Sequence, residues 1–226
     1  APEMLVLHYT GMESNIEAIN RLCDARSFVS AHYVVEENGT CFQLVHETYR
    51  AWHAGESNWA GNDDINSCSI GIELCNPGHD WGYRKFPDQQ MKTLISLCQD
   101  IIIRHSISSH LVLGHSDVAP HRKMDPGELL DWPRLSKEGI GVWPKNFLLP
   151  DKKIWPDTTQ LDAVDIRRIQ EKLGNFGYKI RLTGEYDHQT VAVAKAFQRH
   201  FRTSKIDGKL DKEVETILDK LLLQII

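Results

Sequence analysis

Two apolar runs, 4–8 (MLVLH) and 111–115 (LVLGH), constrain the fold most: each is continuous, of strand length, and ends on a histidine. A continuous rather than alternating run fits a strand covered on both faces, as in the parallel sheets of α/β layers. Residues 69–75 (SIGIELC) are a third such run. Two further strands, HYVVE from His32 and CFQLVH from Cys41, flank Glu37-Asn38-Gly39-Thr40, and Asn-Gly between strand-like runs signals a hairpin. Helical spacing recurs at Ile16, Ile19, Leu22 and Cys23. It recurs more strongly over 88–105, where Met91, Leu94, Ile95, Cys98, Ile101 and Ile102 share a face. Strands interspersed with helices predict an α/β domain: a mixed central sheet flanked by helices, with its site at the strand ends.

After residue 143 the pattern changes. Residues 143–159 (WPKNFLLPDKKIWPDTT) hold three prolines and little periodicity, which reads as a linker. Beyond it the chain is helical. Ile166, Ile169 and Leu173 line one face, with Gly177 as a stop. Asp187 and Asp211 are N-caps for two more helices, burying Ala194, Phe197 and Phe201, then Val214, Ile217, Leu218 and Leu221. Gly184-Glu-Tyr-Asp187 returns as Gly208-Lys-Leu-Asp211, a weak internal repeat. The expected division is a domain over 1–150, a linker over 151–160 and a small three-helix domain over 161–226. A chain ending near Pro150 is then expected to fold by itself.

A formal net charge of −5 argues against a general nucleic-acid binder, and no apolar run approaches the roughly 18 residues of a membrane span. No secretory leader is visible, and the chain starts at Ala1 without Met, as a processed or trimmed chain would. Five cysteines (Cys23, Cys41, Cys68, Cys75, Cys98) with no C-x-x-C pair disfavour a disulfide framework and a thiolate zinc site. Most read as small buried hydrophobes, with one disulfide left open. Nothing in the composition sets an oligomeric state.

HExxH, GxSxG, Walker and Rossmann signatures are absent. What remains is dispersed: His8 and His115 at strand ends, Glu73 on a strand, Lys123 and Asp125 in the loop SDVAPHRKMDPG. Two imidazoles and a carboxylate make a tripod for catalytic zinc with one position left for water. Glu73 would then be general base and Lys123 the cation facing an oxyanion. Each residue also has an ordinary reading: a structural histidine, a turn at Asp125-Pro126, a solvated lysine. Glu73 fits the ordinary reading least, because a carboxylate between Ile72 and Leu74 costs several kcal/mol unless paired or functional.

The stretches LVLHYT, SAHYVVEENGTCFQLVHE, AWHAG (51–55), SIGIEL (69–74), GHSDVAPHRKMDPG (114–127) and GIGVWP (139–144) together resemble the zinc-dependent N-acetylmuramoyl-L-alanine amidases. That superfamily also holds phage amidases and peptidoglycan recognition proteins. The resemblance covers about 4–150, with the motifs in family order. It implies Zn2+ held by His8, His115 and Asp125, with Glu73 as catalytic carboxylate and Lys123 as oxyanion donor. Peptidoglycan recognition amidases carry cysteine at the third ligand, so Asp125 aligns this chain with bacterial enzymes of wall turnover. The expected reaction is cleavage of the amide between the lactyl group of muramic acid and L-alanine in peptidoglycan or muropeptides. Trp52, His53 and Arg122 are expected to contact substrate, and His32 to be structural. IRRIQEKLGNFGY, TGEYDHQTVAVAKAFQ and DGKLDKE resemble a helical peptidoglycan-binding domain. Cytosolic recycling amidases generally lack that module, so a periplasmic location is favoured over the cytoplasm. A binding-only recognition protein and a metallopeptidase acting within the stem peptide are the competing classes.

Overall fold

The computed structural model describes residues 1–145 and 161–225. Its strands are β1 (Met4–Tyr9), β2 (Tyr33–Val35), β3 (Cys41–Gln43), β4 (Ser69–Leu74) and β5 (Val112–Gly114). They form one sheet in the order β3-β2-β4-β1-β5. All neighbours are parallel except the β2–β3 hairpin, so the sheet is mixed as expected. Asn38-Gly39 does not make a two-residue turn. Val35 pairs with Cys41, and Gly39, at φ +88°, donates its N–H to the Glu36 carbonyl at 2.9 Å inside the 36–40 connection.

The first part of the chain adds α1 (Asn15–Cys23), α2 (Ile65–Cys68), α3 (Asp88–His105), α4 (His115–Val118) and α5 (Trp132–Lys137). α3 occupies the residues its periodicity predicted. It buries Met91, Leu94, Cys98 and Ile101 against Leu5, Leu7, Ile70, Ile72 and Leu74, covering one face of the sheet. Each such fully buried aliphatic side chain contributes roughly 1.5–3 kcal/mol. Gln90 Nε2 ties the helix to the sheet by donating to the carbonyls of Val35 (2.9 Å) and Cys75 (3.1 Å). α1 has the expected helical spacing but a different destination. Ile16 is 70% exposed and only Ala18 is buried, because the helix walls a groove instead of covering a core.

The C-terminal region is α6 (Ala163–Phe176), α7 (His188–Phe201) and α8 (Lys212–Ile225). Gly177 ends α6 at φ +135°, and Asp187 and Asp211 cap the next two helices through the N–H groups of Thr190 (2.8 Å) and Val214 (3.0 Å). The internal repeat has a physical basis in two buried glutamines. Gln170 accepts from Gly184 N and donates to the Glu185 carbonyl; Gln198 does the same to Gly208 N and the Lys209 carbonyl.

The helices share a core with the sheet. Met4, Val6, Leu113 and Val118 belong to one continuous apolar cluster with Trp59, Ile169, Leu173, Phe176, Phe197, Phe201 and Leu218. Trp59, 1% exposed, lies edge-on to Phe176 and Tyr178 with ring centroids 5.9 and 4.9 Å away. A Cβ on Gly177 would stand 2.4 Å from Trp59 Cε2, so this seam requires glycine. A chain ending near Pro150 would therefore expose Trp59 and the apolar side chains around it, which the helices cover here. Trp143, read as the start of the linker, packs against the same cluster beside Phe201 (6.3 Å between centroids). The predicted linker 151–160 lies outside the described residues.

The cysteine reading also changes. All five thiols are free; Cys75 and Cys98 are buried, Cys68 is half-buried, and Cys23 and Cys41 are exposed. Neighbouring apolar residues did not predict burial at an edge strand or at the end of a groove-lining helix.

Glu215 fastens α8 to α6. Its side chain is 6% exposed and meets Arg168 (3.1 Å) and Lys172 (2.8 Å) of α6, together with Lys212 (3.0 Å). Burial alone would raise its pKa, but hydrogen bonds from Lys172, Lys212 and Arg168 outweigh it and bring the carboxyl down to about 2. The depressed folded value means that this stability is full above the unfolded pKa and is lost as pH falls toward about 2. Glu215→Gln is expected to cost about 1–2 kcal/mol at pH 7, discounted because Arg168 is half-exposed. Denaturant melts from pH 7 to 3 should show the gap between variant and wild type shrinking as pH drops.

Candidate metal centre

The sheet register brings the dispersed residues together. His8 pairs with Glu73 across β1 and β4, and Leu7 with Gly114 across β1 and β5, so His8, Glu73 and His115 reach one sheet end. His115 is not the last residue of a strand, as its sequence implied, but the first of α4. Asp125 arrives from the following loop, and its carbonyl accepts the Ser116 N–H at 2.8 Å.

His8 Nδ1 lies 2.9 Å from His115 Nδ1 and 3.1 Å from Asp125 Oδ2, and His115 Nδ1 lies 2.9 Å from that oxygen. The three residues are buried and form the described group of ligand-type side chains whose donor atoms lie within 4.8 Å of one another. Their tautomers follow from the far ring nitrogens. His115 Nε2 faces the Ala54 carbonyl at 3.0 Å, which only accepts, so Nε2 carries the proton and Nδ1 a lone pair. Ser69 Oγ donates to the Ile65 carbonyl (2.6 Å) and accepts from His53 Nε2 (3.2 Å); His53 Nδ1 then accepts from His8 Nε2 (3.0 Å). Both Nδ1 lone pairs and the carboxylate oxygen thus face one point. Three shielded acceptors at that separation repel one another unless a cation sits among them, and the donor set fits a divalent metal.

The titration behaviour agrees. Burial, then the neighbouring His115, pushes His8 down to about 4, keeping it neutral. Burial and the surrounding imidazoles hold His53 well below its ordinary value. Burial would raise Asp125, but the closeness of His115 and His8 holds it well below the usual carboxylate range. Glu73 moves the other way: burial, with the Asp125 charge adding and Lys123 opposing, raises it well above the ordinary glutamate value. Glu73 as a residue is half-buried beside the groove, yet its Oε2 is shielded and has no hydrogen-bond partner among the described residues. An orphaned buried carboxylate oxygen is costly, and in a native site it marks a place for chemistry.

A groove of about 490 Å³ opens over this cluster, lined by Tyr9, Trp52, Glu73, Arg122 and Lys123 among others. Lys123 makes no ion pair among the described residues, so its charge is available to the groove. Trp52 is 47% exposed and stacks parallel to Phe28 at the rim. His53 and Arg122, expected at the substrate, border the groove but are tied down elsewhere. His53 braces His8, and Gly71 makes room for its ring, since a Cβ there would come within 2.3 Å. Arg122 donates to the carbonyls of Ala54 (2.6 Å) and Glu56 (2.8 Å), steadying the carbonyl that orients His115. His32 is structural: Nδ1 accepts from Gly71 N and Nε2 donates to the Tyr49 carbonyl. Sequence reasoning missed Asn66, whose Oδ1 accepts from the N–H groups of His53 and Ala54. It also missed Asp117, although that residue lies within a quoted motif.

A buried His-His-Asp cluster that could hold a metal ion thus lies at the end of a mixed sheet, beside a glutamate and a lysine with no ion pair among the described residues. Residues 1–128 match the N-acetylmuramoyl-L-alanine amidase family model, more than half of the chain, and the chain belongs to that family. Residues 162–218 match a peptidoglycan binding domain family. The N-acetylmuramoyl-L-alanine amidase AmiD of Escherichia coli (strain K12) is 37% identical over 97% of this chain and 82% of its own length. The 1,6-anhydro-N-acetylmuramyl-L-alanine amidase AmpD of Haemophilus influenzae is 40% identical, but over 47% of this chain and 56% of the relative. Among solved structures, E. coli AmiD in complex with anhydro-N-acetylmuramic acid-L-Ala-D-gamma-Glu-L-Lys superposes with a TM-score of 0.84 at 35% identity, covering 99% of this chain and 89% of that one. AmpDh3 from Pseudomonas aeruginosa gives 0.82 at 31% identity, over 99% and 92%.

Removing a ligand and removing its brace should differ. His8→Ala is expected to abolish tight divalent-metal binding. His53→Ala should leave it about 10–100-fold weaker, because the brace fixes the His8 tautomer. Chelator competition on the folded variants measures both.

Proposed function

We propose that this amidase is a zinc enzyme that hydrolyses the bond between the lactyl carbonyl of N-acetylmuramic acid and L-alanine in peptidoglycan or released muropeptides. The observation that carries the reading is the convergence of His8 Nδ1, His115 Nδ1 and Asp125 Oδ2 beside the unpartnered Oε2 of Glu73. The substrate in the AmiD complex, which contains this linkage, supports the choice of bond. When bound by His8, His115 and Asp125, zinc supplies Lewis acidity, polarising an amide carbonyl and lowering the pKa of water to about 7.

Glu73 takes a proton from the attacking water, and its raised pKa suits a base working near neutral pH. The water oxygen bonds to the lactyl carbonyl carbon, and the Lys123 ammonium faces the negative oxygen that develops there. As the C–N bond breaks, Glu73 returns the proton to nitrogen, leaving a lactyl carboxylate on the sugar and a free amine on alanine. Trp52 gives the sugar end of the substrate an exposed flat surface at the rim. The 161–226 helices are a peptidoglycan-binding unit joined through 151–160, and the enzyme works in the cell envelope, in the periplasm. The family match of 162–218 supports the wall-binding part of this reading.

Mass spectrometry of muropeptide digests tests the assignment. Intact stem peptide with a free L-alanine amine and peptide-free sugar are the expected products, lost with chelator and regained with zinc. Cuts within the peptide, or undiminished turnover without metal, overturn it. Glu73→Gln should keep near-stoichiometric zinc while hydrolysis falls by about a hundredfold or more; a near-wild-type rate removes Glu73 from the mechanism.

A further inference from the structure

Asp117 is 1% exposed and takes no direct part in the metal cluster, yet it joins that cluster to the C-terminal helices. Its Oδ2 accepts from the Gly114 N–H (2.7 Å) and from His200 Nδ1 (2.7 Å); its Oδ1 accepts from the Tyr178 hydroxyl (2.7 Å). Two of its three donors come from the helical region, one from the turn after α6 and one from the last turn of α7. We infer that Asp117, Tyr178 and His200 are positioning residues, through which the helical region holds the His115 turn in place and so sets metal affinity and turnover at a site it does not touch. This rests on the metal-site reading above.

Three observations carry the inference. The first is that the linkage has no substitute. A buried carboxylate costs several kcal/mol unless its hydrogen bonds are complete, and water cannot replace Tyr178 or His200 at so shielded an atom. The His200 ring lies between Trp132 and Phe201, with centroids 3.7 and 3.8 Å away, and its Nε2 is buried without a partner. Its bond to Asp117 is therefore the polar anchor of the ring among the described residues.

The second is that Asp117 acts where the ligand is placed. Gly114 precedes His115, and the Gly114–Asp117 bond closes the first turn of α4. There is little slack: a Cβ on Gly114 would meet Pro126 Cδ at 2.8 Å and Asp117 Oδ2 at 3.3 Å. Through Ser116 N and the Asp125 carbonyl, the same turn also steers the third ligand, so a shift of α4 displaces His115 and Asp125 together.

The third is a parallel connection from the neighbouring residue of α7. Arg199 lies 3.9 Å from Glu128, Glu128 pairs with His79 at 3.2 Å, and His79 Nδ1 bonds the Tyr9 hydroxyl (2.9 Å) in the groove wall. The last turn of α7 thus reaches the metal cluster on one side and the groove on the other. An ordinary docking contact needs neither.

The experiment uses the full chain and zinc as probe, with affinity read by chelator competition and folding by cooperative melting of metal-free protein. Tyr178→Phe keeps the ring and removes one donor; His200→Phe keeps the stack and removes the other. Each is expected to melt cooperatively, bind zinc about tenfold more weakly, and lower kcat more than it changes KM. His200→Asn, which returns a donor near the Nδ1 position, should recover part of the affinity. Lys179→Ala breaks the exposed Lys179–Asp63 docking pair (2.9 Å), which makes no hydrogen bond to α4 among the described residues, and should leave zinc affinity within about twofold of wild type. Wild-type affinity in both Tyr178→Phe and His200→Phe overturns the inference, as does an equal loss in Lys179→Ala. A wild-type protein that binds no zinc overturns the metal-site reading itself, and this inference with it.

Discussion

Three buried acceptor atoms pressed within 3.1 Å of one another at the floor of a groove form an arrangement that the chain must hold against their mutual repulsion. Most of the surrounding structure can be read as the means of doing so. The parallel pairing of β1 with β4 and β5 supplies the approach. Backbone carbonyls and the His53–Ser69 relay fix which nitrogen of each imidazole faces inward. Asn66, Arg122 and Asp117 then fix the loops that carry those carbonyls and ligands. A cation in the centre would turn the same repulsion into binding.

Much of this was legible in the sequence, for identifiable reasons. Continuous apolar runs ending on histidine marked buried parallel strands, and the 88–105 periodicity marked α3 almost to the residue. Glu73 stood out because no ordinary strand buries a glutamate between isoleucine and leucine. The five-residue set was completed by motif resemblance, since residues 117 positions apart cannot be paired by local spacing. What escaped was everything set by packing between segments. His53 reads as a groove residue until its ring is found behind His8. α1 reads as a core helix because periodicity reports that a face exists, not what that face meets.

The helices show what a local pattern leaves out. Proline-rich sequence followed by a change of pattern reads as an independent module, and each helix has the cap, stop and apolar face to support that reading. Their apolar faces nevertheless enter the same cluster as Met4, Val6 and Leu113. A sheet in a layered domain needs cover on both faces, and here α3 covers one while the helices complete the cluster at the other. Nothing in the local sequence of Trp59 or Gly177 announces that they meet.

Under the proposed wall-binding role, this arrangement restricts which face of the helices could meet peptidoglycan. The faces carrying Phe176, Tyr178, Phe197 and His200 are consumed by docking, so any contact with peptidoglycan falls to the outer surface. That surface presents Val164 (73% exposed), Leu182 (41%) and Tyr186 (42%) near the turns between helices. The same turns carry the buried-glutamine clamps of the internal repeat, which fix backbone at Gly184 and Gly208 from beneath. One three-helix unit can then present a rigid outer face while its inner face braces His115. The two roles need not compete, because they draw on opposite sides of the same helices.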